Sequence, residues 1–205
     1  AKELEYNYLD TGAMYRAVTL YMLDHGIDAS NEDKVIREMS HIHIRFIFNK
    51  KRQAADTYLN GKNVEDEIRS MRISQKVSAY AAIKEVRRAM VAQQQEMGRE
   101  KGVVLDGRDI GTVVFPEAEL KIFMTASTDV RAQRRFQELA KKGETVTLEQ
   151  VKQNLIERDH IDSTRSEGPL LQADDAKVLD NSHLSPSEQL QIALDWAHQA
   201  LQLTV

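Results

Sequence analysis

Asp106, Arg108 and Asp109 put two carboxylates and a guanidinium within four residues, around Gly107, directly after the apolar run Val103-Val104-Leu105. The run is short and β-branched, the pattern of a buried parallel strand. In open α/β sheets, ligands bind just beyond the carboxyl ends of such strands. The bland alternative is a charged turn closing a core strand. Other arginines tilt the balance. Arg16 falls in the first turns of a helix that Asp10 or Thr11 can cap. Basic charge there opposes the helix dipole, so Arg16 makes more sense facing an anion. Arg131, Arg134 and Arg135 stand three and four apart on a helix opened by Ser127, which gathers them on one side. Arg158, Asp162 and Arg165 follow at spacings of four and three. They share a face if their helix continues, as a salt-bridge ladder, or form an arginine-rich loop if it breaks near Ile161. Guanidinium groups grip phosphate bidentately and stay charged. Phosphoryl transfer needs little beyond positioning and charge neutralisation.

The elements that must hold these residues alternate in type. Strands are expected at 6–9, 103–106, 120–124 and 178–180, with helices between them. The fold class is therefore α/β, a parallel sheet with helices on both faces. Met14, Val18, Tyr21 and Met22 mark the inner face of the first helix, which ends near Gly26. Asn31 opens a short helix with Val35, Ile36 and Met39 inward. Ile42, Ile44, Phe46 and Phe48 then alternate with His41, His43, Arg45 and Ile47, a period of two. Asn60-Gly61 is a hairpin signal. Residues 41 to 66 thus read as a small antiparallel insert. His41 and His43 share a face without an evident third ligand, so an exposed face is preferred to a metal site. Arg72, Lys76, Arg87 and Arg88 can form a solvated basic face. Thr147 to Gln150 is a capping box, and Ser185-Pro186-Ser187-Glu188 opens the last helix, expected to bury Leu190, Leu194, Ala197 and Leu201.

The chain has 205 residues and a net charge of −4, which gives no general affinity for polyanions, and a nucleic-acid partner is not expected. Without cysteine there is neither a disulfide framework nor a thiolate metal site. No apolar run is long enough to span a membrane, and no signal-peptide pattern is present, so a cytoplasmic protein, taken as a monomer, is expected.

Three segments together resemble the bacterial-type cytidylate kinase family: Asp10-Thr11-Gly12-Ala13-Met14-Tyr15-Arg16, Asp106 to Val114, and Arg158-Asp159 with Asp162-Ser163 and Arg165. The resemblance covers nearly the whole chain, including the β-rich insert. It implies a P-loop nucleoside monophosphate kinase with a small antiparallel NMP-binding insert, moving the γ-phosphate of ATP onto CMP or dCMP. It also implies a division into core (1–40, 83–130 and 169–205), NMP-binding insert (41–82) and lid (131–168).

On that resemblance, Thr11, Arg16 and Arg108 would hold the CMP phosphate. Ser78, Arg87 and Asp109 would read cytosine, the Asp109 carboxylate accepting from its amino group. Uracil presents an oxygen there and would be rejected. Arg158, Asp162 and Arg165 would reach the ribose and phosphates, with Arg108, Arg158 and Arg165 bearing on catalysis. Asp106 suits a water-mediated Mg2+ contact, and Arg134, beside Arg131, is the expected contact to ATP. The family also opens on a strand, a GxxxxGK[ST] loop and a helix, and that motif does not occur in these residues. Ala1 to Glu5 look like the end of the helix after such a loop, so the sequence is expected to start about twenty residues late, the length of a βα unit. Two other readings stay open: a kinase of the same fold acting on another nucleotide or small metabolite, and a catalytically silent nucleotide-binding module.

Overall fold

A computed structural model describes residues 1–202. A short 3-10 turn, Lys2–Leu4, leads into strand β1 (Asn7–Asp10). Helix α1 (Thr11–Asp24) starts at once because Asp10 caps it, Oδ1 accepting from the Ala13 amide at 2.8 Å. The expected apolar face of α1 is buried, but so are Ala13, Ala17 and Leu20, so α1 is enclosed on most sides and forms the centre of the main core. Helix α2 (Glu32–Glu38), capped by Asn31, contributes only Val35; Ile36 is exposed, because seven residues present a single narrow stripe.

Strands β2 (Ile44–Asn49), β3 (Ala54–Leu59) and β4 (Lys62–Asn63) form a three-stranded antiparallel sheet. The β3–β4 turn is Asn60-Gly61, with φ of 49° and 84°, the double left-handed geometry of a tight hairpin. Ile42 and Ile44 are buried, but Phe48 at the far end is 61% exposed: the apolar stripe outruns the core that α1 offers it. His41 closes a 3-10 turn, Met39–His41, and pairs with Glu38 at 3.0 Å, so it does not share a strand face with His43.

Three helices return the chain to the core: α3 (Met71–Ser74), α4 (Val77–Ala81) and α5 (Lys84–Gly98). They supply Ile73, Val77, Tyr80, Val86 and Met90 to the same cluster as α1. Strand β5 (Val103–Asp106) then pairs in parallel with β1, in a register that sets Asp10 opposite Asp106. A π-helical turn, Ile110–Val114, follows. Strand β6 (Ile122–Thr125), helices α6 (Thr128–Lys141) and α7 (Leu148–Thr164), strand β7 (Lys177–Asp180) and helix α8 (Pro186–Gln202) complete the described chain. Ser127 caps α6, and Thr147 and Gln150 form a reciprocal capping box on α7.

β6 and β7 are parallel, and among the described residues the β1–β5 and β6–β7 pairs are not hydrogen-bonded to each other. Narrow pairs cover little surface, which corrects the expected burial of the β5 run and of α8. Val103 to Leu105 are half-buried, Met124 is 56% exposed, and Leu190 and Leu201 of α8 are exposed. Two strands lie only about 5 Å apart, too narrow to cover the apolar side of a 17-residue helix. α8 meets β7 instead through Lys177 over the Trp196 ring, and meets the residue just after β7 through Asn181 Nδ2 donating to Gln189. No helix among the described residues is long and apolar enough to cross a membrane.

Candidate functional site

Five guanidiniums line one cavity of about 320 Å³: Arg16, Arg69, Arg108, Arg135 and Arg158, with Glu138 the one carboxylate among the lining residues. Each arrives on a different element or turn. α1 carries Arg16, the 3-10 turn Glu67–Arg69 carries Arg69, the β5 exit carries Arg108, and α6 and α7 carry Arg135 and Arg158. Glu138 is already engaged with Arg135 (2.8 Å) and Lys142 (3.1 Å). The cavity is therefore short of negative charge. Burial first, then Arg16 and Arg108 nearby, push the Arg158 pKa down to about 10. Burial and Arg69 lower that of Arg16. Arg158 donates from Nη1 to Ser74 Oγ at 3.1 Å, while its Nε is buried with no partner among the described residues. Like charges brought together under a low-dielectric cover are costly unless an anion joins them.

Beside this cavity lies a second polar cluster. Arg87 and Asp109 form a buried ion pair, with Arg87 also stacked 5.5 Å over the Tyr15 ring. Asp162, 4% exposed, accepts from Ser78 Oγ (3.3 Å), Arg108 Nε (3.1 Å) and Arg165 Nη1 (3.3 Å). The α7 helix runs through Ile161 to Thr164, so Arg158 and Asp162 share its face, while Arg165 is the C-cap and folds back onto Asp162. Arg165 also donates twice to Gly168 O, at 2.9 and 2.7 Å. This brings Gly168, at φ +54°, against the ion pair: a Cβ there would lie 2.6 Å from Arg87 Nη2. Only glycine tolerates both that backbone and that approach.

The third element is the pair of strand ends. Tyr8 Oη donates to Asp106 Oδ1 at 2.7 Å, and Thr11 Oγ1 donates to the Asp106 carbonyl at 2.6 Å. Burial, then the facing Asp10, raise the Asp106 pKa. Gly107 is required by this packing, since a Cβ would fall 2.5 Å from Thr11 Oγ1 and 2.8 Å from Ile110.

The structure thus brings Arg16, Arg108 and Arg158 into one cavity and sets Ser78, Arg87, Asp109, Asp162 and Arg165 beside it. Arg87 belongs to no solvated basic face; it is 4% exposed. Thr11 is buried, and its hydroxyl is spent on the Asp106 carbonyl rather than turned to the cavity. Arg134 is not among the cavity residues: it is exposed and bonds Asn181 Oδ1 and O, because the three arginines of α6 diverge. Arg131 meets Asp159 at 2.7 Å and Arg135 turns to the Arg69 carbonyl. The arginines are also richer in acidic partners than their sequence neighbourhoods show, since Arg87, Arg108 and Arg131 find carboxylates distant in the chain. Arg69 was missed. Its one signal in the sequence is Glu65 four residues before it, a spacing indistinguishable from a surface pair.

The family described as cytidylate kinase matches residues 1–199. A cytidylate kinase of Parabacteroides distasonis is 55% identical over 204 residues, 98% of this chain and 89% of that protein. One of Bacteroides fragilis is 56% identical over 192 residues, covering 92% and 84%. One of Flavobacterium johnsoniae is 50% identical over 206 residues, covering 99% and 90%. With the arginine cavity, the buried Arg87–Asp109 pair and this likeness along nearly its full length, the chain belongs to the cytidylate kinase family.

Proposed function

We propose that this protein is a nucleoside monophosphate kinase that transfers the terminal phosphoryl group of ATP to CMP or dCMP. The observation that carries the reading is the meeting of Arg16, Arg108 and Arg158 around one cavity, next to the buried Arg87–Asp109 pair. The cavity suits a phosphate dianion, whose binding would offset the burial and, after it, the guanidinium repulsion that lower the Arg16 and Arg158 pKa values. The adjoining cluster suits a base edge. The Asp109 carboxylate accepts from the exocyclic amine of cytosine, and Arg87 and Ser78 supply donors to its acceptors. Thr11 supports the acceptor site by tying the β5 turn to α1. Residues 41–82 act as the NMP-binding insert, residues 131–168 as the lid, and the remaining segments as the core.

Catalysis here is positioning and electrostatics. Arg108, Arg158 and Arg165 hold the acceptor phosphate in line and compensate the charge that spreads over the transferred group. Asp162 orients Arg108 and Arg165 and reaches toward the ribose. Closure of insert and lid excludes water, which suppresses wasteful hydrolysis. Arg134 of α6, bonded to Asn181 just past β7, is the candidate contact on the ATP side. Mg2+ fits Asp106: Oδ1 is bonded to Tyr8, Oδ2 accepts no hydrogen bond from the described residues, and a cation would relieve the repulsion from Asp10. One carboxylate with waters and phosphate oxygens is an ordinary Mg2+ donor set. Bound with ATP, Mg2+ would neutralise phosphate oxygens.

A coupled ADP-release assay with CMP, dCMP, UMP and AMP side by side tests the proposal. Turnover with CMP and dCMP well above UMP and AMP is expected. Preference for another acceptor would assign the same fold to a different monophosphate or metabolite. CMP binding without turnover would make the chain a silent binding module. A cytoplasmic, monomeric protein accords with this role.

A further inference from the structure

Among the described residues, Arg108 and Arg135 each pair with one carboxylate, and Arg69 is the cavity arginine held between two. Its Nη1 donates to Asp10 Oδ2 at 2.6 Å, and its Nε and Nη2 donate to Glu65 Oε1 at 3.0 and 2.8 Å. Neither carboxylate is idle. Asp10 ends β1 and caps α1, the helix that carries Arg16. Glu65 is 5% exposed and holds β3 through the Thr57 amide (3.0 Å) and hydroxyl (2.7 Å). On its other side, the Arg69 main-chain carbonyl accepts from Arg135 Nη2 of α6 at 2.7 Å. One residue therefore touches the β1 strand end and α6 directly, and the antiparallel sheet through Glu65, at the cavity wall.

We infer that Arg69 is a positioning residue for the phosphoryl acceptor, fastening the antiparallel insert and the α6–α7 hairpin to the β1 strand end so that the guanidinium cavity takes its binding shape. The inference rests on the acceptor reading above. Two facing carboxylates leave Arg69 little net charge to offer an anion, unlike Arg16 and Arg158, so its influence is exerted through geometry. The fork of a guanidinium suits this task. It spans two carboxylates at once, which a single ammonium cannot do at the same distances. Ligand-contacting groups are only as well placed as the residues that hold them, and a misplacement near 1 Å at a phosphate site costs heavily.

The test compares Arg69→Gln, Arg69→Lys and the double variant Glu65→Gln with Arg69→Gln. Binding of CMP and of inorganic phosphate is measured by calorimetry, and KM for CMP and for ATP in the ADP-release assay. Arg69→Gln leaves the buried Glu65 with only the longer, exposed pair to Arg52 at 3.7 Å, so the unfolding temperature should fall, and the double variant should recover it. In both, the Kd and KM for CMP are expected to rise about tenfold or more while KM for ATP stays within about twofold. Arg69→Lys should restore part of the CMP affinity. A purely structural salt bridge would show the thermal recovery together with normal CMP and phosphate binding. A folded double variant that binds both within about twofold of the parent overturns the inference. Parent protein that binds phosphate but shows no turnover on CMP would overturn the kinase reading alone, since phosphate binding still reads the cavity.

Discussion

Arg87 and Asp109, 22 residues apart in sequence, face each other as an ion pair with side chains only 4% and 5% exposed. α5 delivers one partner and the turn after β5 the other, so the pair fastens a helix to the strand end proposed above to read the base. Burying two charges is tolerable only while both are present. Asp109→Asn should therefore destabilise the fold by about 3–5 kcal/mol, because Arg87 is left charged with no carboxylate. Urea unfolding measures this. The compensated variant Arg87→Met with Asp109→Leu should regain most of the lost stability, and it should not regain turnover. The surviving Asp109→Asn protein should also lose discrimination between CMP and UMP by about tenfold or more, since an amide can turn either face to the base. An unchanged ratio in a competition assay would place base reading elsewhere.

Arg108 offers the opposite case. Its side chain is 44% exposed, and its acidic partner Asp162 keeps Ser78 and Arg165 when Arg108 is removed. Stability should hardly change in Arg108→Ala. Turnover should fall by about 10²- to 10³-fold, the usual cost of deleting one preorganised donor to a transition-state charge. Circular dichroism and thermal unfolding check the first half, and single-turnover kinetics the second. Near-normal turnover would remove Arg108 from the mechanism.

These two arginines show what a sequence reveals. Asp106 to Asp109 were legible as a site because a β-branched run ends abruptly in charge, a local pattern. The α1 start, the Asn60-Gly61 hairpin and the Thr147 capping box were legible for the same reason, each being written within four residues. Burial was not. The periodicity of α8 marked Leu190 and Leu201 as apolar correctly, but exposure depends on how wide a surface lies opposite, and that is set by strand pairing elsewhere in the chain. Arg69 was illegible because its second carboxylate, Asp10, lies far away in sequence, and only the folded chain brings the two together. The divergence of Arg131, Arg134 and Arg135 was hidden similarly, since helical spacing fixes where side chains start and not which distant partner each one finds.

Gly168 separates backbone strain from crowding. It sits at φ +54° where an added Cβ would meet the Arg87–Asp109 pair, whereas Gly143 after α6 has φ +77° and open space where a Cβ would go. Alanine at either position incurs the left-handed backbone cost, about 1–2 kcal/mol. Only Gly168→Ala also drives a methyl group into the ion pair. Both variants should lower the unfolding temperature, Gly168→Ala by more. Gly168→Ala alone should weaken CMP binding. Equal effects of the two substitutions on CMP affinity would show that the approach at Gly168 has no bearing on the base site.

The lowered pKa of Arg158 carries a prediction about sign. Burial and neighbouring guanidiniums bring it to about 10, below the ordinary arginine value. A base whose folded-state pKa is depressed binds its proton less tightly when folded than when unfolded, so at neutral pH its charge works against folding. The contribution is unfavourable below the folded pKa and fades only as the pH climbs through about 10 and above. Arg158→Met removes that charge and the unpartnered Nε while keeping an unbranched apolar stem among Val151 and Leu155. The ligand-free variant should thus be as stable as the parent or more so, with a gain of about 2–4 °C per kcal/mol recovered. The stabilisation that CMP or inorganic phosphate confers on the parent should shrink sharply in the same variant, because the anion loses a cation that was destabilised in its absence. Thermal unfolding with and without phosphate, at pH 7, reads both effects in one experiment. A variant that is less stable without ligand yet fully stabilised by phosphate would show that Arg158 serves packing rather than the anion.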